Sequence, residues 1–265
     1  MATSNDLMIT QEEGIMIITL NRPERLNAIT LDMGDSLLKI LETVGQDKEV
    51  KALVITGAGR GFCSGADVTG QEERIKWSTV ERNEWRCVNP FLKFPLMLRN
   101  LDKPVIAAVN GVAVGAGFAL TLGCDIRIAS ENARFSMMFV KRALMPDMGS
   151  TYFLPRLVGA AKACEMMFTG DMVDAKEALR IGLVNKVVPA EELMKATKEM
   201  ASKIAKGPAI TIRLIKHAVY QGVENSLETQ LDMEAYADNM LYLTEDHQEG
   251  VHAFLEKREP VFKGR

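Results

Sequence analysis

The sequence predicts an α/β core followed by an all-helical tail, and two observations carry that prediction. Val50 to Thr56 (VKALVIT) and Val105 to Val109 (VIAAV) are apolar runs of strand length, each followed at once by a glycine-rich turn. Such runs suit strands buried on both faces. The alternation of strand-like and helical stretches then stops near Pro189, after which the chain reads as helix.

The elements follow in order. Leu7 to Gly14 and Ile15 to Leu20 read as a hairpin turning at Glu-Glu-Gly, and Pro23 stops the second strand in the polar loop Asn21 to Ala28. Thr30 is placed to cap a helix that carries Met33, Leu37, Leu38 and Leu41 on one face. Gly57 to Gly61 ends the next strand, and Phe62 to Asp67 (FCSGAD) makes a strand-to-turn unit. The stretch from Glu72 to Arg99, with Trp77 and Trp85, reads as helix. After Val109 the chain breaks at Asn110-Gly111, turns again at Gly115-Ala116-Gly117 and turns helical over Phe118 to Cys124. Ile126 to Ala129 is a short strand, and Ala143 to Thr151 is a loop entering a helix over Tyr152 to Val158, with Ala163 to Met167 helical beyond it. A turn and capped helix over Thr169 to Ala178 and a strand over Gly182 to Val188 precede the helices Leu193 to Lys206, Pro208 to Tyr220, Ser226 to Leu243 and Glu249 to Lys257.

Composition excludes several classes of function. The net charge of -3 gives no global basic field for nucleic acid or an anionic membrane surface. Four scattered cysteines (Cys63, Cys87, Cys124, Cys164) form no CxxC pair, which argues against zinc, against disulfides and for a reducing compartment. The first residues look like neither a signal nor a transit peptide, and no run approaches a membrane span, so a cytoplasmic location is expected. Neither GxGxxG after a first strand nor GxxxxGK[ST] occurs, so nicotinamide and P-loop chemistry have no support.

Two features point to chemistry on their own. If the turns Ser64-Gly65-Ala66 and Gly115-Ala116-Gly117 face one another, two backbone N–H groups can converge on one oxygen and form an oxyanion hole. Asp147 stands in an apolar loop, Leu144-Met-Pro-Asp-Met, where a carboxylate is either a cap for the helix from Ser150 onward or a general base with a raised pKa. All three histidines lie in the helical tail, so no nucleophile finds a base.

Taken together, Ile18 to Ala28 (ITLNRPERLNA), Val54 to Asp67 (VITGAGRGFCSGAD), Lys103 to Asp125, and Thr169 to Asp171 with Ala178 to Val187 resemble the crotonase superfamily of enoyl-CoA hydratases and isomerases. The resemblance runs in family order over nearly the whole chain. It implies a ββα spiral core over residues 1–190 that binds a CoA thioester, and a helical trimerisation region over 191–265, assembled as a homotrimer or homohexamer. It places the oxyanion donors on the N–H groups of Ala66 and Ala116. It also places the CoA moiety near Arg25, Leu26 and Ala28 and along Ala66, Asp67 and Val68, with Arg25 a candidate phosphate contact. Phe262 and Lys263 match a tail that reaches a neighbouring subunit's CoA. Coenzyme A belongs to the substrate, and no separate cofactor or metal is expected.

Departures from the family's pattern narrow the reaction. Ala119 and Phe139 stand where hydratases of the family carry their two glutamates. Asp147 stands where members that shift double bonds carry a carboxylate, and Met-Pro-Asp-Met-Gly-Ser-Thr most resembles the phenylacetate-pathway isomerases of ring-epoxide and 3-enoyl CoA thioesters. The expected activity is therefore double-bond isomerisation with Asp147 as base and an apolar wall drawn from Met137, Met138, Phe139 and Met145. The alternatives are hydration of an enoyl- or cyclic dienoyl-CoA, ring-epoxide isomerisation, and a non-catalytic CoA-ester-binding or RNA-associated role. The stretches Trp77 to Met97 and Met137 to Met148 are expected to line the acyl pocket.

Overall fold

The computed structural model describes residues 6–69 and 76–265. The beginning of the helix expected from Glu72 falls on 70–75 and lies outside the described residues. The chain starts with a hairpin of β1 (Leu7–Glu12) and β2 (Ile15–Leu20), paired Leu7 to Leu20. Glu13 and Gly14 between them have φ of 49° and 78°, the left-handed pair that a two-residue hairpin turn requires. Thr30 accepts a hydrogen bond from Met33 N and caps α1 (Leu31–Gln46), which buries Met33, Leu37, Leu38, Leu41 and Val44 as the apolar spacing predicts.

From there the chain winds as a spiral. β3 (Ala52–Gly57), β5 (Val105–Val109) and β7 (Ile126–Ser130) lie parallel in one sheet. Each is followed within a few residues by a short strand of a second sheet, β4 (Gly61–Cys63), β6 (Val112–Val114) and β8 (Arg134–Ser136). Helices close each turn: α2 (Thr79–Val88) and α3 (Phe94–Asn100), then α4 (Ala116–Leu122), then α5 (Ser150–Val158) and α6 (Ala160–Thr169). β9 (Val173–Asp174), α7 (Ala175–Arg180) and β10 (Lys186–Val188) complete the core. The first sheet has the order β1-β2-β3-β5-β7-β10 and the second β4-β6-β8-β9. β6 is a correction: the sequence offers only a glycine-punctuated break there, and three residues are too few to show a period. α4 likewise starts at Ala116 and not Phe118, and β10 begins at Lys186 because Gly182 is in a turn with φ of 74°.

The central strands bury both faces. Leu53, Ile55, Val105, Ala107 and Val109 point into the main core with α1 and α4, while Val54, Ile106, Ala108 and Ile128 meet Leu193, Ala196 and Ala201 of α8 (Leu193–Ala205). α8 thus covers the outer face of the sheet. Beyond it run α9 (Ala209–Gly222), α10 (Leu227–Leu241) and α11 (Glu245–Glu256), the last starting four residues before the expected Glu249 because Thr244 caps it. A clasp ties α9 to the core: the buried Lys216 ammonium donates to Leu98 O (2.9 Å) and Lys103 O (3.0 Å) and pairs with Asp125 (2.9 Å), which also accepts from Tyr220 OH (2.5 Å) and Val105 N (2.6 Å). Every polar atom of that clasp has a partner, as burial demands. Among the described residues no helix is long and apolar enough to cross a membrane.

Candidate active site

The two glycine turns lie side by side because β4 and β6, which lead into them, are parallel neighbours. Their closeness is measurable at the glycines. A Cβ on Gly117 would stand 2.3 Å from Cys63 O, and one on Gly65 would stand 3.1 Å from Val114 O and 3.6 Å from Ala116 N. Gly65 (φ 106°) and Gly115 (φ 54°, ψ -123°) hold backbone conformations that only glycine adopts without strain. Ala116 is the first residue of α4, a position whose N–H has no partner inside its own helix. Ile29 N donates to Gly65 O and Asp67 N donates to Ile29 O, both at 2.8 Å, so the N–H of Ala66 between them turns to the opposite side of that bridge. The turns are therefore neighbours, as the sequence reading required.

The first turn is fixed by a knot that sequence reasoning missed. Asn27 is fully buried with φ of 57°; its Nδ2 donates to Ala58 O (2.9 Å) and Gly61 O (2.8 Å), and its Oδ1 accepts from Arg22 N (2.9 Å). Arg22 Nη1 donates to Ala28 O (2.6 Å) and to Asp67 Oδ2 (2.9 Å). An asparagine in a polar loop was a weak signal of this, since Asn tolerates the left-handed region and carries both a donor and an acceptor. Asp67 also accepts from Thr69 N (2.9 Å) and Thr69 Oγ1 (2.6 Å); these bonds, and then Arg22, hold its carboxyl down to about 2. That carboxylate is thus engaged within the fold, as is the Asp67 N–H. Arg25 is exposed, with its carbonyl accepting from Ser64 Oγ (3.1 Å), Leu26 and Ala28 are half-buried beside it, and Val68 is exposed.

Around the second turn, Ala119 is buried within α4 and the Phe139 ring lies against Gly115, 3.9 Å from where a Cβ would be. No carboxylate occupies either position. Phe139 O also accepts from Leu144 N (3.1 Å), which anchors the start of the loop that carries Asp147. That loop holds two non-glycine residues at positive φ, Ala143 (53°) and Met148 (51°), before Gly149 (72°). Strain of this kind clusters at functional segments.

Of the two roles open to Asp147, capping is not realised. Gly149 is the N-cap of α5 and no side chain caps it; the contacts of Asp147 with Ser150 run through its own carbonyl, which accepts from Ser150 N (3.0 Å) and Ser150 Oγ (2.6 Å). Its carboxyl is left open to solvent in the single chain, yet enough protein surrounds it that desolvation raises its pKa above the usual aspartate value. Of the expected apolar wall, Met137 is fully buried, Met138 and Phe139 are half-buried and Met145 is 74% exposed, with the Phe139 ring seated on the second glycine turn. A cavity of about 550 Å³ opens two residues past Asp147, with Leu92, Leu96 and Phe153 on an apolar side and Arg99, Gln221 and Glu224 on a polar one.

Two further places bear on the site. Cys63 is buried under the first turn, and desolvation pushes its thiol up to about 12, so it stays neutral. Phe262 packs near Gly250 of α11, and Lys263 N donates to Asp246 Oδ1 (2.6 Å), so the structure of one chain does not bring this pair to the donor turns. Among the described residues no cluster of His, Cys, Asp or Glu could hold a metal ion.

With this geometry in place, the similarities are informative. Residues 10–265 match the family model for enoyl-CoA hydratase/isomerase. The chain is 41% identical to 1,2-epoxyphenylacetyl-CoA isomerase of Escherichia coli (strain K12), covering 96% of this chain and 97% of that one. It is 39% identical to a short-chain-enoyl-CoA hydratase of Clostridium acetobutylicum, covering 98% and 99%. Among solved structures, a putative enoyl-CoA hydratase from Streptomyces coelicolor A3(2) superposes with a TM-score of 0.94 at 33% identity, over 100% of this chain and 96% of that one. A ββα spiral with two adjoining glycine turns, matched across its length at these identities, leaves one assignment: the chain belongs to the enoyl-CoA hydratase/isomerase family and has the crotonase fold.

Proposed function

We propose that this protein is an isomerase of unsaturated acyl-CoA thioesters that works through an enolate. The thioester carbonyl sits between the N–H groups of Ala66 and Ala116. Asp147 takes a proton from the α carbon of a 3-enoyl thioester, and the negative charge moves onto the carbonyl oxygen. Donors already in place stabilise that oxygen more in the transition state than in the neutral ground state. Asp147 then returns the proton to the γ carbon, leaving the conjugated 2-enoyl product. No water is activated, and one carboxyl performs both transfers. The same enolate and the same base serve a ring-epoxide acyl-CoA, which keeps that substrate within this reading.

The observation that carries it is the state of Asp147: a carboxylate that caps no helix, with its pKa raised by desolvation, in a loop anchored to the residue seated on the donor turn. Hydration is the second reading, favoured by relatives that are named hydratases. Against it stand the apolar Ala119 and Phe139 beside the donor turn, which offer a water no second carboxylate. We place the CoA chain along Arg25, Leu26, Ala28, Ala66 and Val68, and the acyl group in the cavity beside Gly149. Exposed apolar side chains on α9 to α11, such as Val219, Leu231 and Phe254, support contact with further copies in a homotrimer or homohexamer, to which Phe262 and Lys263 contribute. The test mixes the protein with a 3-enoyl-CoA and follows conjugated-thioester absorbance. Rapid growth of that absorbance is expected. Loss of absorbance from a 2-enoyl-CoA, with none gained from the 3-enoyl ester, would establish the hydratase instead.

A further inference from the structure

We propose that the cavity at the end of the sheet remote from the donor turns binds a phosphate-bearing anion. β3 and β5 are parallel, so Lys51 and Lys103, just before them, lie at one end of the sheet, while the donor turns follow the other. Between those strand starts, α9 and the chain's last residues, a cavity of about 560 Å³ is lined by Lys48, Lys51, Lys103, Arg213, Lys263 and Arg265. Among the described residues, two side-chain carboxylates, Glu49 and Asp102, share the lining. The whole chain carries a net charge of -3, so this excess of positive charge is local.

The internal pairings do not neutralise it. Asp102 is already engaged through one oxygen by His217 (2.8 Å) and through the other by Arg213 (3.6 Å), and Arg265 pairs with Glu245 (3.0 Å) outside the lining. Among the described residues, Lys48, Lys51, Lys103 and Lys263 form no ion pair, and the Lys51 ammonium donates only to Lys48 O (2.6 Å). Lys103 is half-buried. Burial first, and then the charges of Lys51 and Arg213, depress its pKa, while Asp102 and Asp47 only partly offset them. Like charges held together in a partly desolvated cavity repel, and an anion relieves that repulsion.

Phosphate chemistry fits what is there. Several compact ammonium groups and one guanidinium fork can share the oxygens of one multiply charged group. The cavity is far larger than one phosphate ion, and Pro104, Ile204, Ile210 and Ile212 give it an apolar side. The ligand is therefore a phosphate ester whose organic part rests on those side chains. The ligand we infer is a free phosphate ester, distinct from the CoA phosphates that the tail with Lys263 is expected to reach on a neighbouring copy.

The experiment titrates the full chain with inorganic pyrophosphate in a calorimeter at low and at physiological salt. Saturable binding that weakens with salt is expected, and it should weaken about tenfold per cation removed in the Lys51→Gln and Lys103→Gln variants. Lys51→Arg should retain it, and Asp147→Asn should leave it unchanged. No saturable binding by the wild type at low salt overturns the proposal. Equal binding by the two glutamine variants, with thermal stability intact, also overturns it. Titration needs no turnover, so its failure is separate from failure of the isomerase reading. Where binding holds, an unchanged KM for a CoA thioester in Lys103→Gln supports a separate ligand, and a raised KM makes the cavity part of the CoA site and overturns the proposal.

Discussion

Replacing Asp147 with asparagine separates chemistry from architecture more cleanly than any other single change. The side chain keeps its shape and loses its ability to hold a proton, while the contacts with Ser150 at 3.0 and 2.6 Å survive because they come from the main-chain carbonyl. A positioned general base contributes about 10²- to 10⁴-fold, and here no second carboxylate occupies the Ala119 or Phe139 position beside the donor turn to replace it. kcat for a 3-enoyl-CoA should therefore fall by about 10³-fold or more, roughly 4 kcal/mol of barrier. KM should stay within a few-fold, since the carbonyl is held by backbone donors. The wild-type kcat should decline on the acid side with an apparent pKa above the ordinary aspartate range, because the base must be ionised and desolvation favours its protonated form. The same shift has a sign for stability. A carboxyl whose pKa is raised by folding stabilises the fold below its unfolded pKa and loses that contribution as pH rises through the folded value. At neutral pH the asparagine variant should thus melt no lower than wild type. Retained isomerisation within tenfold, or a variant that is inactive only because it melts well below wild type, would refute the assignment of Asp147 as base.

Other perturbations test the surroundings. Asn27→Ala strips three hydrogen bonds from a fully buried loop and should cost about 3 kcal/mol by denaturant titration, with KM for the CoA ester raised as the first donor turn loosens. Gly117→Ala puts a methyl 2.3 Å from Cys63 O, forcing the two turns apart, so kcat should drop about 10²-fold or more in protein that still shows a native circular dichroism spectrum. Lys216→Met leaves Asp125 and two carbonyls without their buried cation and should cost about 3–5 kcal/mol, read as a lowered Tm. The bonds from Thr69 and Arg22 depress the Asp67 pKa, so this carboxylate stabilises the fold above its unfolded pKa and loses that effect as pH falls toward about 2. The Tm of Asp67→Asn should accordingly fall less than that of wild type as pH drops through that window.

What could be read in advance, and what could not, follows from the range of each interaction. β3 and β5 were legible because a strand buried on both faces must be apolar throughout, and α1 because its cap and stripe lie within one stretch. β6 and β8 were not, since three residues carry no period and exist as strands only through their partners. The adjacency of the two turns was a condition in the sequence and a consequence of the β4–β6 pairing in the structure. Asp147 stayed ambiguous in sequence because cap and base ask for the same residue type. Gly149, left-handed at φ of 72° with no capping side chain, removed the first option. The Arg22–Asn27–Asp67 knot was invisible for a different reason: its bonds join residues as much as 45 positions apart. A polar residue's partner at such separation leaves no local trace.

The pairing of β4 with β6 has a consequence for what can and cannot be altered in this protein. Ala66 and Ala116 are fifty residues apart in the chain, yet each stands within three residues of the end of one of two adjacent strands. The sheet, and not any side chain, keeps the two turns together. In the proposed mechanism, changes at Ala119, Phe139 or Asp147 would redirect where a proton or a water goes and leave the spacing of the anion-holding pair to main-chain hydrogen bonding. The charge-stabilising half of such a site is rigid hardware, and the proton-moving half is interchangeable.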